Sequence, residues 1–275
     1  MGMALPIRKT MLVVAVATLI ALAGCTGGNG PSTATPTNNS TDSPQPMEDL
    51  DGAELSNNTV SAVENGGSYS LRADAEFVAN TSRGNSSTDT DITRRANFET
   101  DRGVRSINQS VTNPLGSVTS TATVYTDGNT SYRLRNVSGE NATYASQTGD
   151  ASGPGGIRPV NVSGYDQSYI EYTNITQGFD WEANGTATVG DTTTIRYSST
   201  NVSDSNFLVQ DSNSTLTNAS ADLYVDEDGV VRRTDLTFTI ENGASSSSAD
   251  ISLVLTDIGS TTVEEPSWVA QAESS

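Results

Sequence analysis

From residue 69 onward the chain alternates apolar and polar positions with a period of two. Tyr69, Leu71, Ala73, Ala75, Phe77 and Ala79 take the odd positions of 69–79, with Arg72, Asp74 and Glu76 between them. Such alternation predicts an antiparallel strand with one buried face. Residues 90–100 repeat it, with Ile92, Ala96 and Phe98 against Asp91, Arg95, Asn97 and Glu99. Weaker versions run over 104–111 and 118–126. Thr126-Asp127-Gly128-Asn129 then carries the Asp-Gly signal of a hairpin and leads into Tyr132 and Leu134. The pattern returns at 192–199 with Ile195 and Tyr197, and three strands close the chain at 219–225, 230–240 and 249–257. Asp226-Glu227-Asp228-Gly229 turns the first pair of these, and Glu241 to Ser248 forms a looser second turn. Leu223, Val225, Leu236, Phe238, Ile240, Ile251, Leu253 and Leu255 are expected on one buried face.

Helical spacing precedes the strands. Leu50, Leu55, Thr59, Ala62 and Val63 recur at helical intervals and Asn65-Gly66-Gly67 supplies a stop, which predicts a helix over 48–65. Gly149 to Gly156 reads as a loop, and 157–183 has room for a second short helix around Asp166 to Tyr172. Repeated hairpins after one early helix predict a single α+β domain. Its centre is a large, curved antiparallel sheet, a half-barrel, with one or a few short helices packed on the concave face.

The segment ahead of this domain has a different character. Arg8 and Lys9 precede an apolar run from Met11 to Leu22, interrupted only by Thr18, and Leu22-Ala23-Gly24-Cys25 follows. This is the layout of a secretory signal peptide, too short for a spanning helix. The small-small-Cys ending resembles a lipobox, in which Cys25 becomes the mature N-terminus and carries a lipid on its sulfur. The expected organisation is a signal peptide over 1–24 and a lipidated Thr/Ser/Pro-rich tether over 25–47. The sheet domain follows over 48–270, with a tail over 271–275. The expected location is the extracytoplasmic face of the cell membrane.

Composition sharpens this picture. The net charge is −19, and residues 1–24 contribute two cations and no acid, so the remainder carries −21 with arginine as its only cation. That charge repels phosphate backbones and argues against nucleic acid as a partner. Apolar residues make up 34%, which together with the strand patterning suits a folded domain built for molar salt, where self-repulsion is screened. A single cysteine excludes a disulfide framework. Sequons at Asn80, Asn108, Asn129, Asn136, Asn141, Asn161, Asn174, Asn201 and Asn218 are candidate glycosylation sites in an exported chain.

The missing residue types exclude much chemistry. Histidine is absent and the one cysteine belongs to the anchor, which removes Ser-His-Asp and Cys-His nucleophiles and His/Cys zinc sites. No lysine follows Lys9, which removes Schiff-base and Ser-Lys chemistry. A carboxylate pair is what remains, with Asp180 and Glu182 flanking Trp181, or Glu264-Glu265, as candidates. Asp226, Asp228 and Gly229 echo a calcium loop, but Tyr224 and Asp235 stand at its first and closing positions and the flanks are strands, so a turn is the better reading. A non-enzyme without metal or cofactor is expected.

The apolar sheet face is the strongest candidate site. If the few helices cover it fully, it is core. If they leave a gap, it is a dry groove for an acyl or isoprenoid chain, lined by Phe77, Phe98, Leu134, Leu236, Phe238 and Leu253.

Several stretches taken together carry a resemblance: the lipobox, the tether, and the helix running into Gly-Ser-Tyr-Ser-Leu. The hairpins V-Y-T-D-G-N-T-S-Y and L-Y-V-D-E-D-G-V-V and the ending T-D-I-G-S-T-T-V-E-E-P-S-W complete it. The chain resembles a haloarchaeal surface-lipoprotein family, distantly like the LolA and LppX/LprG lipid- and lipoprotein-carrier superfamily, over about residues 48–270. The resemblance implies a half-barrel around helices with a cavity for acyl chains, and it transfers no site residues. The expected function is a lipid-anchored, non-catalytic carrier or chaperone for a lipid or other hydrophobic ligand. The alternatives are an envelope structural or interaction lipoprotein with a closed core and, more remotely, a carboxylate-pair hydrolase.

Overall fold

A computed structural model describes residues 45–47, 49–82, 84–149, 157–162, 172–205, 208–209 and 213–275. The expected signal peptide, the Leu22–Cys25 motif, most of the tether and positions 163–171 lie outside the described residues.

Helix α1 spans Gly52–Gly66. It begins later than residue 48 because Asp51, in extended conformation, accepts the Ala53 and Glu54 N–H groups at 2.8 and 3.2 Å. These are two of the donors that a first turn leaves unpaired. The helix ends where Gly67 turns left-handed at φ 70° and its N–H returns to the Val63 and Glu64 carbonyls, a conformation that glycine adopts without a Cβ penalty.

Eleven strands then form one open antiparallel sheet. They are β1 (Ser68–Thr81), β2 (Gly84–Asn97), β3 (Arg102–Asn113), β4 (Gly116–Asp127), β5 (Thr130–Val137) and β6 (Thr143–Thr148). After helix α2 (Tyr172–Gly178) come β7 (Glu182–Val189), β8 (Thr192–Ser199), β9 (Thr215–Val225), β10 (Val231–Asn242) and β11 (Ser245–Thr256), and a short helix α3 (Val269–Glu273) ends the chain. The spatial order is β6-β5-β4-β3-β2-β1-β11-β10-β9-β8-β7. Two hairpin meanders therefore lie side by side, joined where β1 pairs with β11.

The expected strands are all present, and most run further than their apolar residues indicate. β2 starts at Gly84 rather than 90, because the polar stretch from Gly84 to Asp89 pairs in register with Glu76 to Thr81. The second closing turn is tight rather than loose, since Glu241-Asn242 and Ser245-Ser246 remain in the ladder. The Asp226 turn is confirmed as a turn. Asp226 Oδ1 accepts the Asp228 and Val230 N–H groups at 3.1 and 2.9 Å, and Oδ2 pairs with Arg232 Nε at 2.7 Å.

The residues of β1 that begin with Tyr69 and Leu71 define the inner face, against which α1 packs. Val63 joins Tyr69, Leu71, Ala73, Ile92, Ala96, Leu253 and Leu255 in one buried cluster. Leu55 joins Ile175, Ile195, Tyr197, Leu223, Val225 and Val231 in a second. Burying each such aliphatic side chain contributes about 1.5–3 kcal/mol. The connection from β6 to β7 has to cross the width of the sheet, and its described parts lie on this same face. Val160 N–H donates to Thr126 Oγ1 at 2.9 Å, and Arg94 Nη2 donates to the Asn161 carbonyl at 2.9 Å.

The chain's end packs on the outer face. Val263 and Val269 bury against Tyr125, with Tyr132 and Trp268 alongside. Ala272 is fully buried, so the segment expected as a tail from residue 271 begins inside a packed helix. Trp268, which follows Pro266, covers part of the outer face.

Candidate functional site

The register sorts the two faces of the sheet by chemistry. On the outer face carboxylates stand beside one another. Asp74 lies opposite Asp91, Glu76 opposite both Asp89 and Asp250, and Asp222 opposite Asp235. A shallow groove of about 340 Å³ runs between Asp74, Glu76, Asp89, Asp91 and Asp250. Arg72 bridges it partly, reaching Asp74 at 2.9 Å and Asp91 at 3.2 Å. Burial, and next the neighbouring Asp74, push the Asp91 carboxyl above its usual range despite that arginine. Asp222 shifts the other way. Burial works to raise it, but the hydrogen bonds from Arg196 and Ser198 and the Arg196 charge hold it below the ordinary value. Burial and the Asp127 carboxylate that accepts its hydroxyl at 3.1 Å push the Tyr125 phenol up to about 12. Among the described residues no group of three or more His, Cys, Asp or Glu is arranged to hold a metal ion.

On β1 and β9 to β11 the inner face is largely apolar and falls into two parts. Beneath α1 it is sealed, with Tyr69, Leu71, Leu223 and Leu255 at most 1% exposed. Further along the strands, away from α1, the same face continues as Phe77, Ile251, Phe238, Ile240 and Leu216, and all five are half-buried. Phe238, Ile251 and Leu216 pack around Ala219, Ala221 and Leu236, with Phe179, Val202 and Leu208 on the same cluster.

Five of the six expected wall residues belong to this side of the sheet. Phe77 and Phe238 both pair with Ala249 in the half-buried band. Leu236 and Leu253 are the buried floor next to it, at 9% and 3% exposure. Phe98 packs against the sealed cluster, its ring 6.0 Å from that of Tyr69. The expectation for Leu134 is corrected by the register. Leu134 pairs with Thr123, Thr123 with Ser106, Ser106 with Thr93 and Thr93 with Arg72, which places it on the outer face. The apolar side of β5 is turned outward because the C-terminal segment covers it there, with Tyr132 stacked on Tyr125 at 6.1 Å.

What β5 turns inward is Arg133 and Arg135, and these side chains escape a search for apolar alternation. Arg133 lies in one row across the strands with Val124, Arg105, Arg94 and Leu71. Arg135 lies in the next row with Ala122, Ile107, Ile92 and Ala73. Arg94 is 2% exposed, with its guanidinium 5.5 Å from the centre of the Tyr69 ring. The signal was in the sequence, since Arg94 sits between Ile92 and Ala96 at the apolar phase.

The expected hydrolytic acids form no such assembly. Asp180 and Glu182 are exposed, Asp180 accepts a hydrogen bond from Asn201, and Trp181 turns its Nε1–H to the Thr176 carbonyl at 3.1 Å. Glu264 and Glu265 are exposed. The sequon asparagines at 80, 108, 129, 136, 141, 161, 201 and 218 are exposed as well. Among the described residues no helix is long and apolar enough to cross a membrane.

Residues 10–272 match a family of unknown function, DUF7537. The chain belongs to that family. No curated protein matches it. Among solved structures, this family member is similar to the Mycobacterium tuberculosis lipoprotein LppX, at 13% identity and a TM-score of 0.32, over 78% of this chain and 97% of that one. It is also similar to LprF from Mycobacterium bovis, at 13% identity and a TM-score of 0.33, over 78% and 96%. At these values the likeness is a distant one, and the functional reading rests on this chain's own residues.

Proposed function

We propose that this DUF7537 protein is held at the extracytoplasmic face of the membrane by a lipid on Cys25 and binds a hydrophobic ligand against the inner face of its sheet. In this reading it is a carrier or chaperone and performs no catalysis. The observation that carries it is the half-buried band of Phe77, Ile251, Phe238, Ile240 and Leu216, continuous with a core that α1 seals only at the other end of the strands. Apolar surface left in contact with water stores about 25 cal/mol per Å² that a bound acyl or isoprenoid chain releases. Leu236 and Leu253 form the floor next to that band, and Phe98 packs on the sealed cluster beyond it.

Titration of a fluorescent fatty acid into the full chain in molar potassium chloride tests the reading. Saturable uptake is expected, and Phe238→Asp, which places a charge in the band, should weaken it by about tenfold or more. A protein that takes up no probe, or a Phe238→Asp variant that binds as well as the parent, would contradict it. The former outcome favours the alternative of a closed envelope module.

A further inference from the structure

The inner face is sorted by charge as well as by polarity. At the paired strand positions among the described residues it carries no aspartate or glutamate, whereas Asp74, Glu76, Asp89, Asp91, Asp235 and Asp250 all face outward. In a chain of net charge −19, the inner face of β2 to β5 nevertheless bears Arg94, Arg105, Arg133 and Arg135. Arg94 and Arg105 stand directly opposite each other, a like-charge pairing that destabilises a sheet unless an anion lies between or beside the two. Arg94 is spoken for by the Asn161 carbonyl and the Tyr69 ring, and Arg133 also has contacts within the fold. Arg105 is half-buried and Arg135 is exposed. Arg105 stands two residues before Ile107 on β3, and Arg135 lies in the row of Ile107 with Ala122 between them; that row continues through Ile92 and Ala73 into the apolar wall.

From this juxtaposition we propose that the ligand is an anionic lipid. Its phosphate headgroup is held by Arg105 and Arg135, beside Arg133, and its chain runs onto the apolar band at Phe77 and Ile251. This rests on the hydrophobic-ligand reading above and adds the headgroup to it. Guanidinium groups suit the task because their fixed fork of donors matches two phosphate oxygens at once. Molar salt limits long-range attraction to about 3 Å, so recognition in that medium has to come from direct contacts of this kind. The acid-free face also keeps carboxylates from competing with the phosphate.

The test compares two fluorescent lipids with the same acyl chains, phosphatidic acid and diacylglycerol, titrated into the full chain in molar potassium chloride. Inorganic phosphate serves as competitor. The parent should bind phosphatidic acid about tenfold or more tightly than diacylglycerol. The double variant Arg105→Gln/Arg135→Gln should lose that preference, keep its affinity for diacylglycerol and keep its thermal midpoint. Millimolar inorganic phosphate should not displace the lipid. An equal affinity of the parent for both lipids, or a preference that survives in the double variant, overturns the headgroup assignment while leaving the hydrophobic site standing. Displacement by phosphate alone would overturn it in favour of a free-anion site. Failure to bind either lipid would instead remove the reading on which the assignment rests. A double variant whose midpoint falls and which loses both lipids together would overturn the assignment by showing that the two arginines hold the fold.

Discussion

Thr59 and Val231 join the helix to the sheet. The Val231 N–H donates to Thr59 Oγ1 at 3.1 Å, and the same hydroxyl donates to the Leu55 carbonyl at 2.7 Å. Val231 lies where the pairing of β9 and β10 shifts register, and both residues are at most 1% exposed. The bond therefore positions α1 over a sealed part of the inner face. Thr59→Val keeps the shape of the side chain and removes the acceptor. It should cost about 1–3 kcal/mol, the penalty for a buried N–H without a partner. Denaturant unfolding in molar salt reads this directly, and an unchanged midpoint would show that the bond contributes nothing.

Gly103 sets how closely the crossing segment approaches the sheet. A Cβ at this position would lie 2.7 Å from Val160 Cγ1 and 2.9 Å from Val162 Cγ1, so even alanine forces the segment away. Gly103→Ala should destabilise the protein by about 1–3 kcal/mol and speed hydrogen exchange at the Val160 amide, which loses its bond to Thr126. Exchange at the parental rate would mean that the segment is held elsewhere.

The outer carboxylates make stability depend on salt and pH in a way that differs between sites. The folded-state pKa of Asp91 is raised, so the native protein binds its proton more readily than the unfolded chain does. Its contribution therefore improves as pH falls through the raised value. Asp91→Asn should raise Tm by about 1–3 °C near neutral pH in low salt, and the gain should fade in molar salt. Asp222 is held below its ordinary value, so its contribution is present above the unfolded pKa and is lost as pH falls through the lower folded one. Asp222→Asn should accordingly lower Tm near neutral pH and flatten the acid limb. Thermal melts of the two variants against pH check both signs, and shifts of the same sign at neutral pH would refute the distinction.

The Leu22-Ala23-Gly24-Cys25 motif has its own consequence in the cell. Changing Cys25 to Ser should release the protein into the medium or leave it unprocessed. A normally processed variant that still partitions into detergent would count against lipidation.

The regular strands were legible in the sequence wherever one face is buried and the other wet, as in β1, β10 and β11. The edge strands β6 and β7 were not. Thr143 to Thr148 and Glu182 to Val189 carry Thr, Ala, Ser and Asn with little apolar contrast, because an edge strand pairs on one side only and buries little. Polar extensions such as the first half of β2 were missed for the same reason. They are held in place by backbone pairing to a neighbour, which leaves no mark in hydrophobicity.

Phe77, Leu236, Phe238 and Leu253 follow the phase of their strands onto the inner face. Leu134 was misplaced because Tyr132 and Leu134 look buried from either side of the sheet. Only the C-terminal segment packed on the outside, far away in sequence, decides which face they occupy. The inward arginines are hidden by the expectation that charged residues face water.

The proposed function turns on what the inner face carries in the living cell. Native mass spectrometry of the full-length protein, extracted from its own host and kept folded in salt, measures this. A lipid bound non-covalently, over and above the lipid proposed on Cys25, and released when Phe238 is changed to Asp, is the predicted result. A parent protein that is folded and carries no mass beyond its chain, its anchor and any sugars would contradict it.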